Sequence, residues 1–169
     1  MTVRFLNPPC LDGGREQKRV LELQEEWIEE MKNGKVQDSL KPLDESCTTD
    51  ENTLVLFPND KSDVVVGYLV FFPRKDPDGT YQDPGDAYQG GNYEIYSLFI
   101  SESFRDSDGG TSLMEGAAKH IKKKGGKRIE LCLMTSKKNE CRLIKFYKKL
   151  GYGRCSPEGE KYMMEKLLG

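Results

Sequence analysis

Apolar positions along the chain change period several times, and each change predicts a different element. Val20, Leu23, Trp27, Ile28 and Met31 recur at i, i+3, i+7, i+8 and i+11, one stripe of a helix over about residues 15–32. Before it, TVRFL (2–6) reads as a short strand closed by Pro8, Pro9, Gly13 and Gly14. TLVLF (53–57) and DVVVGYLVFF (63–72) are β-rich runs separated by PNDKS, for which a hairpin is the simple reading. YEIYSLFI (93–100) alternates, so as a plain strand it sets Glu94, Tyr96, Leu98 and Ile100 on one face and Tyr93, Ile95, Ser97 and Phe99 on the other. Leu113, Met114, Ala117, Ala118 and Ile121 mark a second helix ending at Gly125 and Gly126. RIELCLM (128–134) is a strand, Leu143, Phe146, Tyr147 and Leu150 form a third helical stripe stopped by Gly151, and YMMEKLL (162–168) closes as a strand.

The order β-α-β-β-β-α-β-α-(β)-β predicts a mixed sheet with helices packed on it, an α/β or α+β layered fold. No repeat or low-complexity tract divides the chain, and 169 residues suit a single domain over 1–169. Two stretches stand outside this pattern. Residues 33–51 are polar and read as a loop with at most a short helical piece, and residues 73–92 are full of Gly, Pro and Asp, too long for an idle connection.

Composition narrows the classes. Charged residues at 32% and hydrophobic residues at 36% fit a globular protein in water, and the longest apolar run, near Val64–Phe72, is too short to cross a bilayer. The start, MTVRFLNPPC, lacks the apolar core of a secretory signal. Five scattered cysteines with no CxxC indicate neither a disulfide framework nor a zinc site, so a cytoplasmic location and no metal are expected. His120 is the only histidine; its lysine-rich helix suggests a solvated surface position. Net charge is −2 overall, yet residues 1–100 hold ten Lys/Arg against nineteen Asp/Glu, and residues 101–169 hold sixteen against nine. An acidic half could attract a cationic substrate and a basic half hold an anionic one; plain solvation of helices accounts for the split equally well.

The chemistry concentrates in FRDSDGGTSLM (104–114). A glycine turn opening a helix exposes first-turn amides at the positive end of the helix dipole, which suits a phosphate. Neither a Walker A lysine nor a dinucleotide GxGxxG is present, and by spacing alone an ordinary helix cap fits as well. Asp106 and Asp108 are odd company for an anion.

With its neighbours the stretch resembles the GNAT superfamily of acyl-CoA-dependent N-acetyltransferases. RDSDGG (105–110) fills the frame of that family's pyrophosphate loop, with Arg105 first, Asp108 at the usual first glycine and Gly110 last. EIYSLFI (94–100) looks like its bulged fourth strand, and ECRLIKFYKKLGYG (140–153) is similar to its later motif, Asn-x-x-Ala-x-x-hydrophobic-Tyr before a Gly-Phe turn, with Glu140 where the asparagine falls and Asn139 one residue earlier. KYMMEKLL (161–168) resembles its last strand. The likeness covers about residues 93–168; residues 1–72 match mainly in element order.

The resemblance implies a mostly antiparallel mixed sheet with helices on both faces and splayed strands 4 and 5 holding acetyl-CoA as cosubstrate. It implies that Tyr147 protonates the CoA thiolate, the alternative being a packing tyrosine, and that Glu94 acts as general base for an amine, the alternative being a solvated or paired glutamate. Main chain at Leu98, Phe99 and Ile100 would hold the pantetheine arm. Arg105, Asp106, Ser107, Asp108, Gly109, Gly110, Thr111 and Ser112 would form the pyrophosphate loop, helped by Asn139 and Arg142, with Lys137, Lys138 and Lys145 near. The acceptor would be an amine of a small cationic molecule or a basic peptide, selected by the 73–92 loop, and the protein a monomer or homodimer with no membrane or nucleic-acid partner. The alternative is a degenerate GNAT-like domain that binds CoA or a protein partner without catalysis.

Overall fold

The structure, a computed structural model, describes residues 1–7, 14–33, 43, 47–74, 91–133, 137–157 and 162–169, with main chain alone at 137–139. The 75–90 part of the long loop, most of the acidic segment 34–46 and the side chain of Asn139 lie outside the described residues. The elements follow the predicted order: β1 (Thr2–Phe5), α1 (Arg15–Asn33), β2 (Thr53–Phe57), β3 (Gly67–Pro73), β4 (Asn92–Ile100), α2 (Gly109–Lys123), β5 (Arg128–Cys132), α3 (Lys137–Lys149), β6 (Gly153–Arg154) and β7 (Met163–Leu167). One sheet contains all seven strands in the order β1-β2-β3-β4-β5-β7-β6.

Every pairing is antiparallel except β4 with β5, because α2 carries the chain between them as a crossover. That parallel ladder is short. It joins Asn92–Ile95 to Arg128–Leu131 and stops, while β4 runs on to Ile100 still paired with β3. β3 starts later than the apolar run suggested, at Gly67. A Cβ there would lie 2.9 Å from the Phe99 carbonyl oxygen, so the two strands approach closely only because position 67 is glycine.

A bulge accounts for the divergence of β4. Val70 pairs with Ser97 but Phe71 pairs with Ile95, so Tyr96 is one residue too many, and a bulge both bends a strand and increases its twist. It also corrects the plain alternation expected for 93–100. Tyr93 and Ile95 pack in the core beneath α2, with Leu98 and Ile100 against the same core, whereas Phe99 joins the core beneath α1 and Ser97 meets Tyr68 there through a 3.0 Å hydroxyl contact. The faces exchange at Tyr96.

Each face has its own core. Leu113, Met114, Ala117 and Ile121 of α2 pack over Leu54, Leu56 and Phe71, and full burial of one such side chain contributes about 1.5–3 kcal/mol. On the opposite face Val20 and Leu23 of α1 pack on Val55, Tyr68 and Val70, with Trp27 half-buried beside them. Among the described residues no helix is long and apolar enough to cross a membrane.

His120 departs from its expected surface position. It lies three residues after Ala117 and seven after Leu113, at the margin of the buried stripe, with its ring 4.4 Å from that of Phe5 and 5.8 Å from that of Phe71. Its Nε2 is buried without a hydrogen-bond partner among the described residues. Burial first, then Lys124 and Lys123, push its pKa below the ordinary histidine value against a smaller opposing effect of Glu51. The unfolded chain therefore takes up a proton more readily, so this contribution is complete above about pH 6.5 and is lost as pH falls below it. Denaturant melts from pH 7.5 to 5 should show stability falling in that window, and His120→Gln should flatten that part of the slope.

Candidate active site

Beyond Ile95 and Leu131 the two parallel strands no longer pair, and the opening between them is the candidate site. Main-chain direction in a strand alternates. Ser101 N–H donates to Val66 of the β3 side, so Ile100 and, two residues back, Leu98 turn their main-chain groups into the opening. The Ile100 carbonyl there accepts from Arg105 Nε at 2.8 Å. Half-buried Leu98, Ile100, Leu133, Leu143 and Phe146 pack against the core beneath α2.

At the mouth sits the glycine turn. α2 starts at Gly109, and its first main-chain bond to the preceding turn runs from Ser112 N–H to the Asp108 carbonyl at 2.8 Å. The N–H groups of Gly110 and Thr111 find no acceptor among the described residues, and Asp108, although it holds the capping position, makes no side-chain bond to them. The ordinary cap is therefore missing, and the amides remain available to an anion. Ser107 Oγ closes the turn on the Phe104 carbonyl at 2.6 Å.

Both acids face outward. Asp108 is exposed. Asp106 stands at φ +64°, the only described non-glycine residue in the left-handed region, and its carboxylate pairs with Arg142 of α3. Both partners are well exposed, and such pairs contribute about 0–1 kcal/mol, so Arg142 is held only lightly. Arg105 is corrected as a phosphate-facing side chain: its guanidinium lies over the Phe99 ring and bonds Glu30 of α1 at 2.6 Å, on the face opposite α2.

Gly109, between the two glycine positions of the turn, is set by packing. A Cβ on Gly109 would lie 2.6 Å from Leu56 Cδ2, closer than van der Waals contact, so Gly109→Ala must displace either the buried Leu56 side chain or α2 itself. We expect a loss of about 1–3 kcal/mol, read as a lower midpoint in urea. Gly110 is tight against Phe146, with 3.2 Å from its would-be Cβ to Cζ.

Tyr147 and Glu94 stand on opposite faces of the sheet. Tyr147 is buried in the core under α2 and α3, edge-on to Phe146 and Tyr152, and burial raises its pKa above the ordinary phenol range. Glu94 is half-buried, in register with Phe72 on one side and Glu130 on the other, on the α1 face. Its carboxylate has no ion pair or hydrogen bond among the described residues.

A polar cluster beside Glu94 was not expected. Glu94, Glu130 and Glu165 are in register across β4, β5 and β7, on the same face as α1, which lies chiefly over β3 and β4. Glu130 is buried, paired with Arg74 and with Arg128 Nε at 3.0 Å, and Arg128 reaches Glu165 at 3.3 Å. These residues line a cavity of about 440 Å³ with Ser156 and Met163. In sequence, RIELC offers only an alternating strand with Arg128 and Glu130 on one face. A buried carboxylate needs charged partners; Arg128 is two residues away on β5, but Arg74 comes from the end of β3, which spacing could not show.

The family described as the acetyltransferase (GNAT) family matches residues 20–152. None of the curated proteins matches the chain. Solved structures do. An aminoglycoside 6'-N-acetyltransferase complexed with coenzyme A is 16% identical, with a TM-score of 0.63, over 100% of this chain and 98% of that one. An aminoglycoside 6'-acetyltransferase type Ii is 20% identical with a TM-score of 0.62 over 100% and 98%. An acetyltransferase of the GNAT family from Staphylococcus aureus Mu50 is 11% identical with a TM-score of 0.64 over 99% of each chain. At these identities the likeness is one of fold.

Proposed function

Because the chain belongs to the acetyltransferase (GNAT) family, we propose that it moves an acetyl group from acetyl-CoA directly to an amine of a small cationic molecule or a basic peptide. One observation carries the reading: β4 and β5 part beyond Ile95 and Leu131, an uncapped glycine turn follows β4, and a buried phenol and an unpaired carboxylate lie on opposite faces of the sheet. The pyrophosphate would take the free amides of Gly110 and Thr111, with Arg142 exchanging Asp106 for phosphate. The pantetheine arm would lie along Leu98 and Ile100, where a main-chain N–H can polarise the thioester carbonyl. The aminoglycoside enzyme of similar fold was crystallised with coenzyme A, which supports acetyl-CoA as the donor here.

Chemistry then divides between the faces. Glu94 takes a proton from the incoming ammonium, the amine nitrogen forms its bond to the thioester carbon, and the C–S bond breaks with its electron pair on sulfur. The nitrogen, still one proton in excess after the bond has formed, gives that proton to solvent, and Tyr147 gives the sulfur a proton and later regains one from solvent. The row of Glu94, Glu130 and Glu165 carries one negative charge more than Arg74 and Arg128 offset, which favours a cationic acceptor in the neighbouring cavity.

Calorimetric titration with acetyl-CoA, followed by CoA release with kanamycin, spermidine or a lysine-rich peptide, tests this. Binding in the micromolar range with turnover of at least one amine is expected. Binding without turnover of any amine would favour the non-catalytic alternative, and no binding would end the acetyl-CoA reading.

A further inference from the structure

The bulge in β4 bares a ring. On a plain strand Ser97 would follow Ile95 onto the α2 face. Instead Ser97 is buried beneath α1, 4% exposed, with its hydroxyl on that of Tyr68. Tyr96 stands on the same side, its ring edge-on to Phe72 at 5.5 Å and 81°, and Phe72 packs on the α1 core. Two consecutive side chains thus share one face, as a bulge requires. Ser97 takes the inner place. Tyr96 is left in the outer one, 39% exposed, and it is the one exposed aromatic ring among the described residues.

The place of that ring is informative. Ile95 is the last residue of β4 in the ladder with β5, so Tyr96 comes where the two strands part. A tyrosine bared on the middle strand of a seven-stranded sheet forgoes burial that its size would make favourable. Glu94 is its neighbour by two routes. Residues two apart on a strand are separated by about 6.6 Å, and Phe72, which stands across the ladder from Glu94, also touches Tyr96. The unpaired carboxylate therefore has an exposed ring next along the same face, at a spacing close to the ~6 Å over which an aromatic ring attracts a cation.

We propose that the Tyr96 ring is a wall of the acceptor site, on which an aliphatic ammonium rests while Glu94 takes its proton. The inference rests on the acceptor amine meeting Glu94. It narrows the acceptor to an amine ending a methylene chain, as in spermidine or a lysine side chain, which sets both its charge and its CH2 groups against a ring. Tyr96 binds the acceptor and moves no proton.

Calorimetric titration of spermidine and of the lysine-rich peptide, with and without saturating CoA, reads acceptor binding without turnover, because CoA carries no acetyl group to transfer. Tyr96→Leu keeps an apolar side chain and loses the ring. It should weaken the better-bound amine about fivefold to tenfold, whereas Tyr96→Phe should stay within about twofold because the ring is retained. Affinity for CoA should be unchanged in both, which also reports that the variants are folded. Equal affinity of parent and Tyr96→Leu overturns the proposal, as does a loss in Tyr96→Phe as large as in Tyr96→Leu, or binding of neither amine. Glu94 is read separately. If Glu94→Gln keeps the parent's rate and pH profile while Tyr96→Leu weakens the amine, the base assignment fails and the wall stands; if Glu94→Gln slows turnover and Tyr96→Leu is silent, the wall fails and the base stands.

Discussion

Tyr147→Phe is expected to lower kcat about a hundredfold, the lower range for removing a general acid, with little change in KM for acetyl-CoA. The substitution removes one hydroxyl from a ring that keeps its edge-on contacts with Phe146 and Tyr152. Stability should therefore hold, and the loss should be chemical. Burial keeps the Tyr147 phenol protonated at neutral pH, the form an acid needs; in water a thiolate, whose acid ionises near pH 8.5, is a weaker base than a phenolate, so the transfer is driven by the poor solvation of the departing anion. Without the proton, sulfur must depart as an anion between half-buried Leu98, Leu143 and Phe146, where charge is poorly solvated. Steady-state CoA release measures the effect, and an unchanged kcat would remove Tyr147 from the mechanism.

Glu94→Gln should reduce kcat/KM for the acceptor by about tenfold to a hundredfold at pH 7. A primary amine of pKa about 10 is almost wholly ammonium at that pH, and glutamine cannot take its proton. The deficit should shrink as pH rises from 7 to 9.5, because solvent then supplies free amine. A variant with the parent's rate and the parent's pH profile would make Glu94 a structural residue. KM for acetyl-CoA should not change, since Glu94 lies on the α1 face and the free amides of Gly110 and Thr111 head α2 on the other.

Much of the fold was legible because most elements announce themselves by period. Val20 to Met31 and Leu113 to Ile121 gave helices within a residue or two, and the order of elements held through β7. What escaped were places where one residue breaks the count. Tyr96 shifts β4 by one, so alternation assigned Leu98 and Ile100 to the wrong partners. His120 occupies a helical position that meets β1 and β3, and a stripe drawn from neighbouring lysines could not foresee Phe5 and Phe71 across it.

The candidate site was legible as a list and not as a set of directions. The turn at 105–110 heads a helix as expected, yet the side chain of Arg105 goes to Glu30, and Asp106 to Arg142. Side-chain direction depends on which charge is nearest in space. Glu30 is 75 residues from Arg105 along the chain, and sequence spacing has no term for that.

The parting of β4 and β5 has one more consequence. Strand edges with unpaired main-chain groups ordinarily invite foreign strands and aggregation, and proteins shield them at the rim of a sheet. Here such an edge, around Leu98, opens in the middle of a sheet, and Leu133, Leu143 and Phe146 pack against the same core as Leu98. A second polypeptide with full-sized side chains would have to displace those residues to reach it. The edge selects for something narrow and extended, and its sticky main chain is turned from a hazard of assembly into a filter on what may enter.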